Sequence, residues 1–152
     1  MQLAKQYNIT DYPCPAGGCL LTYKEYANKL RDLFNHKKHV STKDVNQLKI
    51  GRHFRYEENK IIVGRNQTEN EALLRTKSQS DYYFEVPNIG SPITLLQGPK
   101  TKKAIQKAAQ LTAYYSDQKT RQTTVTYGKQ TLNKTTTITT PTPEEVDKLR
   151  IT

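Results

Sequence analysis

Arg52-His53-Phe54-Arg55-Tyr56, Ile61-Ile62-Val63-Gly64-Arg65-Asn66, Asp81-Tyr82-Tyr83-Phe84-Glu85 and Ala108-Ala109 through Tyr115-Ser116 decide the fold by their order. In the first run His53 and Arg55 alternate with Phe54 and Tyr56, the period of a half-buried strand. Glu57-Glu58-Asn59-Lys60 reads as a turn, and Ile61-Ile62-Val63 as a short, fully apolar strand. Asn66 caps a predicted helix running to about Thr76, with Glu69 three residues on. Tyr82 to Val86 and Ile93 to Leu96 are two further predicted strands. Pro99 to Asp117 carries Ala104, Ile105, Ala108, Ala109, Leu111, Thr112 and Tyr115 at amphipathic helical spacing. Thr123 to Tyr127 and Gln130 to Thr139 are β-branched runs, read as a hairpin joined at Gly128-Lys129. Thr142-Pro143-Glu144-Glu145 opens a last short helix, with proline and acids in the first turn. The order ββαββαββ predicts an α+β fold, a mostly antiparallel sheet of about five or six strands. The Asn66 and Lys102 helices are expected together on one of its faces.

Residues 1–50 read differently, as a turn-rich and helical N-terminal extension to a domain spanning 51–152. Pro13, Pro15, Gly17 and Gly18 surround Cys14 and Cys19. Thr22 and Glu25 form a capping-box pattern before Tyr26, Ala27, Leu30, Leu33 and Phe34, which predicts a helix over 23–35. Ser41 and Asp44 repeat the pattern before a weaker helix reaching Lys49. The opening Met1-Gln2-Leu3-Ala4-Lys5 reads as a continuation, so the expectation is a piece of a longer protein with Met1 added.

Composition narrows the function. The net charge is +10, which calls for an acidic partner, with nucleic acid ahead of an anionic membrane. Only 34% of residues are apolar and tryptophan is absent, so the core leans on aliphatic residues and some of the ten tyrosines. No apolar run approaches the roughly 18 residues of a membrane span, and residues 1–10 lack the apolar segment of a signal peptide. The expectation is a cytoplasmic protein with no membrane partner.

Three places could carry chemistry. Between Lys100 and Lys134 eight basic residues face a single acid, Asp117. Lys100, Lys102, Lys103 and Lys107 fall in the first turns of a helix, where positive charge opposes the dipole at about 0.3–1 kcal/mol per residue. That penalty points to a ligand, and exposed amides at the helix start add to an anion-binding field. The bland alternative is a solvated basic face. Second, Gly64-Arg65-Asn66 places a guanidinium at a helix start, suited to bidentate phosphate recognition, with Arg52, His53 and Arg55 on a neighbouring strand to extend the surface. The alternative, favoured by spacing alone, is a tight-turn glycine and an Arg65 paired to an acid such as Glu69. Third, Cys14 and Cys19 could bind metal, handle sulfur or simply brace a proline-stiffened loop. Zinc would need His36 and His39 as well, and the Cys-x4-Cys spacing lies at the long edge of the usual range, so no metal is expected. A stable disulfide does not suit the cytosol. Asp81 and Glu85 are the only carboxylates with aromatic company, His53 stands alone at a strand start, and no serine-nucleophile or Walker-type motif is present, so a binder is expected over an enzyme.

Gly64, Arg65, Asn66, Asn70 and Glu71, the Asp81–Phe84 strand, the Gly90-Ser91 turn, Ala108-Ala109, Tyr115-Ser116, and Val125, Tyr127 and Lys129 follow one another as in the NFACT-R domain. The chain resembles that RNA-binding module of ribosome-quality-control proteins from about Gly51 to Thr140. One departure is Glu85, where the family often carries a histidine. The Tyr12-Pro13-Cys14-Pro15-Ala16-Gly17-Gly18-Cys19-Leu20-Leu21-Thr22 string resembles a junction in proteins similar to tRNA thiouridylases. That resemblance implies a tRNA-modifying parent with an upstream ATP-pyrophosphatase domain. This chain would be its RNA-binding part, probing tRNA through Arg52, Arg55, Arg65, Asn66, Lys100, Lys102, Lys103 and Lys107, with no cofactor of its own. The alternative is an accessory segment in which Cys14 or Cys19 handles sulfur for the parent.

Overall fold

A computed structural model describes residues 19–152; Cys14 and the rest of its proline-flanked loop up to Gly18 lie outside the described residues. The elements are α1 (Lys24–His36), α2 (Thr42–Gln47), β1 (Arg52–Tyr56), β2 (Asn59–Val63), α3 (Gln67–Thr76), β3 (Tyr82–Glu85), β4 (Thr94–Gln97), α4 (Lys102–Tyr114), β5 (Gln122–Gly128), β6 (Lys134–Thr139) and α5 (Pro143–Leu149). None of these helices is long and apolar enough to cross a membrane. The fold is α+β, and its six strands form one sheet in the order β1-β2-β4-β3-β5-β6, antiparallel at every junction.

Local chemistry sets most boundaries. Ser41 with Asp44, and Thr142 with Glu145, close capping boxes, while Asn66 and Thr101 accept from the amides of Glu69 and Ala104. The expected box at Thr22 and Glu25 does not form. Thr22 belongs to a 3-10 turn (Leu20–Thr22) and its hydroxyl donates to the Cys19 carbonyl, leaving α1 without a side-chain cap at Tyr23. The hairpin also differs from expectation. Tyr127 pairs with Lys134, so Gly128 ends β5 and the connection is longer than Gly128-Lys129. The loop folds back so closely that a Cβ on Gly128 would lie 1.7 Å from the Thr131 carbonyl oxygen.

The central strands β2 and β4 are buried on both faces, whereas β5 and β6 leave one face exposed. In register, Phe54, Ile61, Leu96 and Tyr82 form one cross-strand row. With Phe84, Val125 and Ile138 they pack under Ala104, Ala108, Ala109 and Leu111 of α4 and Val146 of α5, on the front face. Ile62, Leu95 and Tyr83 form the neighbouring row and point backwards, against Leu73 of α3, Ile93 and Ile50. The helices of Asn66 and Lys102 therefore lie on opposite faces, not together. The physical reason is the unbroken Ile61-Ile62-Val63: a half-buried strand alternates, and an uninterrupted apolar run needs cover on both sides.

α1 is joined to the back face by charge. Arg55 and Lys60 sit directly opposite one another across β1 and β2. Two like charges so placed repel. Asp32 of α1 lies between them, accepting from Arg55 Nε at 2.9 Å, Arg55 Nη2 at 2.5 Å and Lys60 Nζ at 3.2 Å. Burial alone would push the Asp32 carboxyl up, but these bonds and the two positive charges outweigh it and hold the group below its ordinary value. Its stabilising contribution is therefore complete above pH of about 4 and is lost as pH falls through the lower folded value. Asp32→Asn should destabilise the domain by about 3 kcal/mol in urea melts, because it leaves two largely buried cations facing each other. The difference from the unaltered chain should shrink on acidification through this range; a constant difference between pH 7 and 3 would show that the carboxylate is not the tie.

Candidate nucleic-acid interface

The antiparallel register brings distant residues to one end of the sheet. Lys60 pairs with Gln97, Leu96 with Tyr82, and Tyr127 with Lys134, so the N-terminal end of β3, the C-terminal ends of β4 and β5 and the start of β6 coincide there. The start of α4 joins them. Lys100 donates its backbone amide to Asn59 Oδ1 at 2.7 Å, and its ammonium folds back onto the Gly98 carbonyl at 2.9 Å. Lys102 and Lys103 follow, both exposed.

Aromatic rings occupy the same end. Tyr82 meets Tyr127 edge-on at 5.6 Å, and Tyr127 stacks on buried Phe84 at 5.1 Å with 13° between planes. The ammonium groups of Lys134 and Lys129 lie 5.2 and 5.6 Å from the Tyr82 ring centre, and Lys134 also donates to the Tyr82 hydroxyl at 3.2 Å. Tyr83 points to the other face, where Lys77 lies 5.6 Å over its ring and donates to the Lys129 carbonyl at 2.6 Å. The cluster thus wraps around the start of β3. Among the described residues, none of the ammonium groups of Lys77, Lys100, Lys102, Lys103, Lys129 and Lys134 is salt-bridged to a carboxylate. The acids at this end are Glu57 and Glu58 in the β1–β2 turn and Asp81, which is buried and accepts from the Ser78 amide at 2.9 Å.

The eight residues expected from sequence do not form one surface. Arg65 and Asn66 follow the opposite end of β2, with Arg52 at the adjoining start of β1. The Arg65 guanidinium is paired with Glu69 at 2.6 Å, and the Glu69 carboxylate also takes the Arg65 backbone amide. Those bonds, ahead of the opposing effect of burial, hold the Glu69 carboxyl below its usual range. The Asn66 side chain is the helix cap at 2.9 Å. Arg52 lies over the Tyr115 ring at 4.4 Å, and Arg55 is held by Asp32. Lys107 lines a crevice between α4 and α5 beside Glu145. Only Lys100, Lys102 and Lys103 join the aromatic end. Lys77, Tyr82, Tyr83, Lys129 and Lys134, not among those eight, gather at this end instead; the signal for them is basic and aromatic residues recurring at strand ends, which becomes visible only with the strand order in hand.

Several motif residues hold the fold together. A Cβ on Gly64 would lie 2.1 Å from Asn70 Oδ1, and that oxygen accepts from the Ile93 amide at 3.0 Å, pinning the entry to β4. Ser91 accepts from the Val86 amide and donates to the Pro92 carbonyl, both at 2.9 Å. Tyr115 packs on Phe54, and Ser116 donates to the Ala113 carbonyl at 2.7 Å. His53 is 1% exposed and its Nε2 bonds the Ile50 carbonyl at 2.8 Å. Burial, reinforced by the Lys60 and Lys29 charges, drives its pKa well down, so the ring is neutral. Cys19 is free and exposed, and no group of three or more histidine, cysteine, aspartate or glutamate residues among those described is placed to hold a metal.

Residues 51–150 match the family model described as the NFACT protein RNA binding domain. The chain is also similar in structure to the C-terminal part of the fibronectin/fibrinogen-binding protein from Streptococcus suis, with a TM-score of 0.60 and 14% identity over 84% of this chain and 66% of that one. At that identity the likeness is one of fold. No curated protein matches the chain.

Gly64→Ala should lower stability by about 1–3 kcal/mol, because the added carbon displaces Asn70 and leaves the Ile93 amide unpaired in a part-buried site. Arg65→Ala, which removes an exposed ion pair, should change it by about 1 kcal/mol or less. Thermal melts of the two variants compare them directly; equal losses would mean that the Asn70 clamp does not depend on the glycine.

Proposed function

We propose an RNA-binding role at the aromatic end of the sheet on one premise: the chain belongs to the NFACT protein RNA-binding domain family. The observation that carries the location is the gathering of ammonium groups without carboxylate partners around Tyr82 and Tyr83, where phosphates and bases would find complementary partners side by side. Ammonium groups supply the salt-dependent attraction to the backbone, and tyrosine faces give unpaired bases a stacking surface. The RNA we infer is tRNA. The support is the likeness of the Tyr12–Thr22 string to tRNA thiouridylase-like junctions, which also suggests a cytoplasmic parent carrying an upstream ATP-pyrophosphatase domain.

The test is fluorescence anisotropy with a tRNA transcript and with an unrelated structured RNA of equal length, across a salt series. If about six ammonium groups meet phosphates, the log–log salt slope should be about −4 to −5. Charge reversal at Lys129 and Lys134 together should weaken binding about tenfold or more and flatten the slope by about 1.5. Arg65→Ala, at the far end of the sheet, should stay near the unaltered affinity. Equal binding of both RNAs would remove the preference for tRNA while leaving RNA binding in place. A larger effect at Arg65 than at the lysine pair would move the interface to the other end. No salt-sensitive binding at low salt would overturn the role itself.

A further inference from the structure

Between α1, α2 and the back face of the sheet lies an open cavity of about 470 Å³. That volume falls within the range of roughly 300–1,000 Å³ typical of small-ligand sites. Its floor comes from back-facing residues of β1, β2 and β4, among them His53, Ile62, Lys60 and Gln97. Leu33 and Leu48 add apolar surface from the helices.

One wall is a hydrogen-bond chain of fixed polarity. Asp81 accepts only, so the Gln97 amide nitrogen must face it, at 3.3 Å. The same nitrogen donates to Gln47 Oε1 at 2.9 Å, which turns the Gln47 nitrogen toward Thr76 Oγ1 at 3.2 Å. Thr76 in turn donates to the Ala72 carbonyl at 2.9 Å. Both amides are therefore locked, with no freedom to flip. On the floor, the His53 Nε2 proton is taken by the Ile50 carbonyl, so Nδ1 is an acceptor, buried and without a partner. Beside it Lys60 is largely removed from water; burial lowers its pKa to about 8, with Asp32 offsetting part of the effect. The lining carries both signs of charge, from Lys43 and Lys60 to Asp44 and Glu58, so no net anion site is built inside. Locked amides and a buried acceptor beside the apolar surface of Leu33, Leu48 and Ile62 suit a flat, neutral heterocycle. Positive charge also stands outside. Ser78 and Gly98 line the cavity; Lys77 precedes the one, and the Lys100 ammonium caps the carbonyl of the other.

We propose that this cavity receives one nucleobase, turned out of its strand, with the attached phosphates at the rim beside Lys77 and Lys100. For a base within RNA the inference rests on the function proposed above; a free mononucleotide presents the same chemistry and is tested separately. The isotope-labelled chain is titrated with each of the four ribonucleoside monophosphates and with single-stranded tetranucleotide RNAs, following the side-chain amide signals of Gln47 and Gln97 by NMR. At least one base should shift both signals saturably. Ser80→Trp, a bulky replacement at an exposed lining position, should abolish that shift and weaken RNA binding about tenfold with an unchanged salt slope, since base contacts release no counterions. If RNA binds but neither signal moves, the cavity is not a base site and the RNA role stands. If a mononucleotide shifts the signals and no RNA binds, the RNA role falls and the cavity stands as a free-nucleotide site. Should Ser80→Trp fail to fold, the signals of the unaltered chain decide: unmoved by every base, they overturn the proposal.

Discussion

Arg55 and Lys60 face each other on adjacent strands, both largely removed from water, and the fold answers with a single carboxylate. Without Asp32 the back face of β1 and β2 would present two repelling charges next to buried His53 and Ile62. With it, α1 is fixed in position and α2 follows, anchored through Gln47 to Gln97 and Thr76. A buried ion pair of this kind adds little net stability over an apolar isostere, but breaking it is expensive. Its effect here is positional: it holds two otherwise lightly packed helices at a distance from the sheet that leaves an opening between them.

The two faces of the sheet then divide the labour. The front is dense, with α4 alanines pressed close over Phe54, Ile61, Phe84 and Leu96. Small residues let the helix approach, and the aromatic stack Phe84–Tyr127–Tyr82 runs from this dry centre to the wet end of the sheet. The back is looser and more polar. Its apolar contacts gather at Leu73, Ile62 and Leu95, and amide chains and ion pairs fill the remainder. A rigid front that presents rings at its margin, and a polar back with room inside it, are complementary demands on one six-stranded layer.

Element order was legible in the sequence because each element carries its own local mark: caps at Ser41, Asn66, Thr101 and Thr142, alternation in β1, β-branching in β5 and β6. Placement was less legible. Which face α3 takes depends on two-sided burial of β2, implied by Ile61-Ile62-Val63 but not carried through to the helices. The charged site suffered more. Lys134 meets Tyr82 across 52 positions and Lys77 meets Lys129 across another 52, so no window of sequence contains either pair. Arg65 and Asn66 sit in a motif whose visible bonds are structural: a cap, an ion pair and a clamp on β4. On this frame the motif residues hold elements together, whereas the lysines gathered around Tyr82 and Tyr83 share no local pattern.

The outer edge of β1 is closed late. Phe54 bridges to Arg150, Ile151 donates to the His53 carbonyl at 2.9 Å, and Asn28 of α1 donates to the Thr152 carbonyl across 124 positions. During synthesis on the ribosome, β1 and β2 can pair as a hairpin long before residues 150–152 emerge. Until then the nascent sheet has an open flank, the kind of surface that recruits chaperones or a neighbouring strand. Because contacts of such long separation are made slowly, this edge of β1 should close only in the final stage of folding.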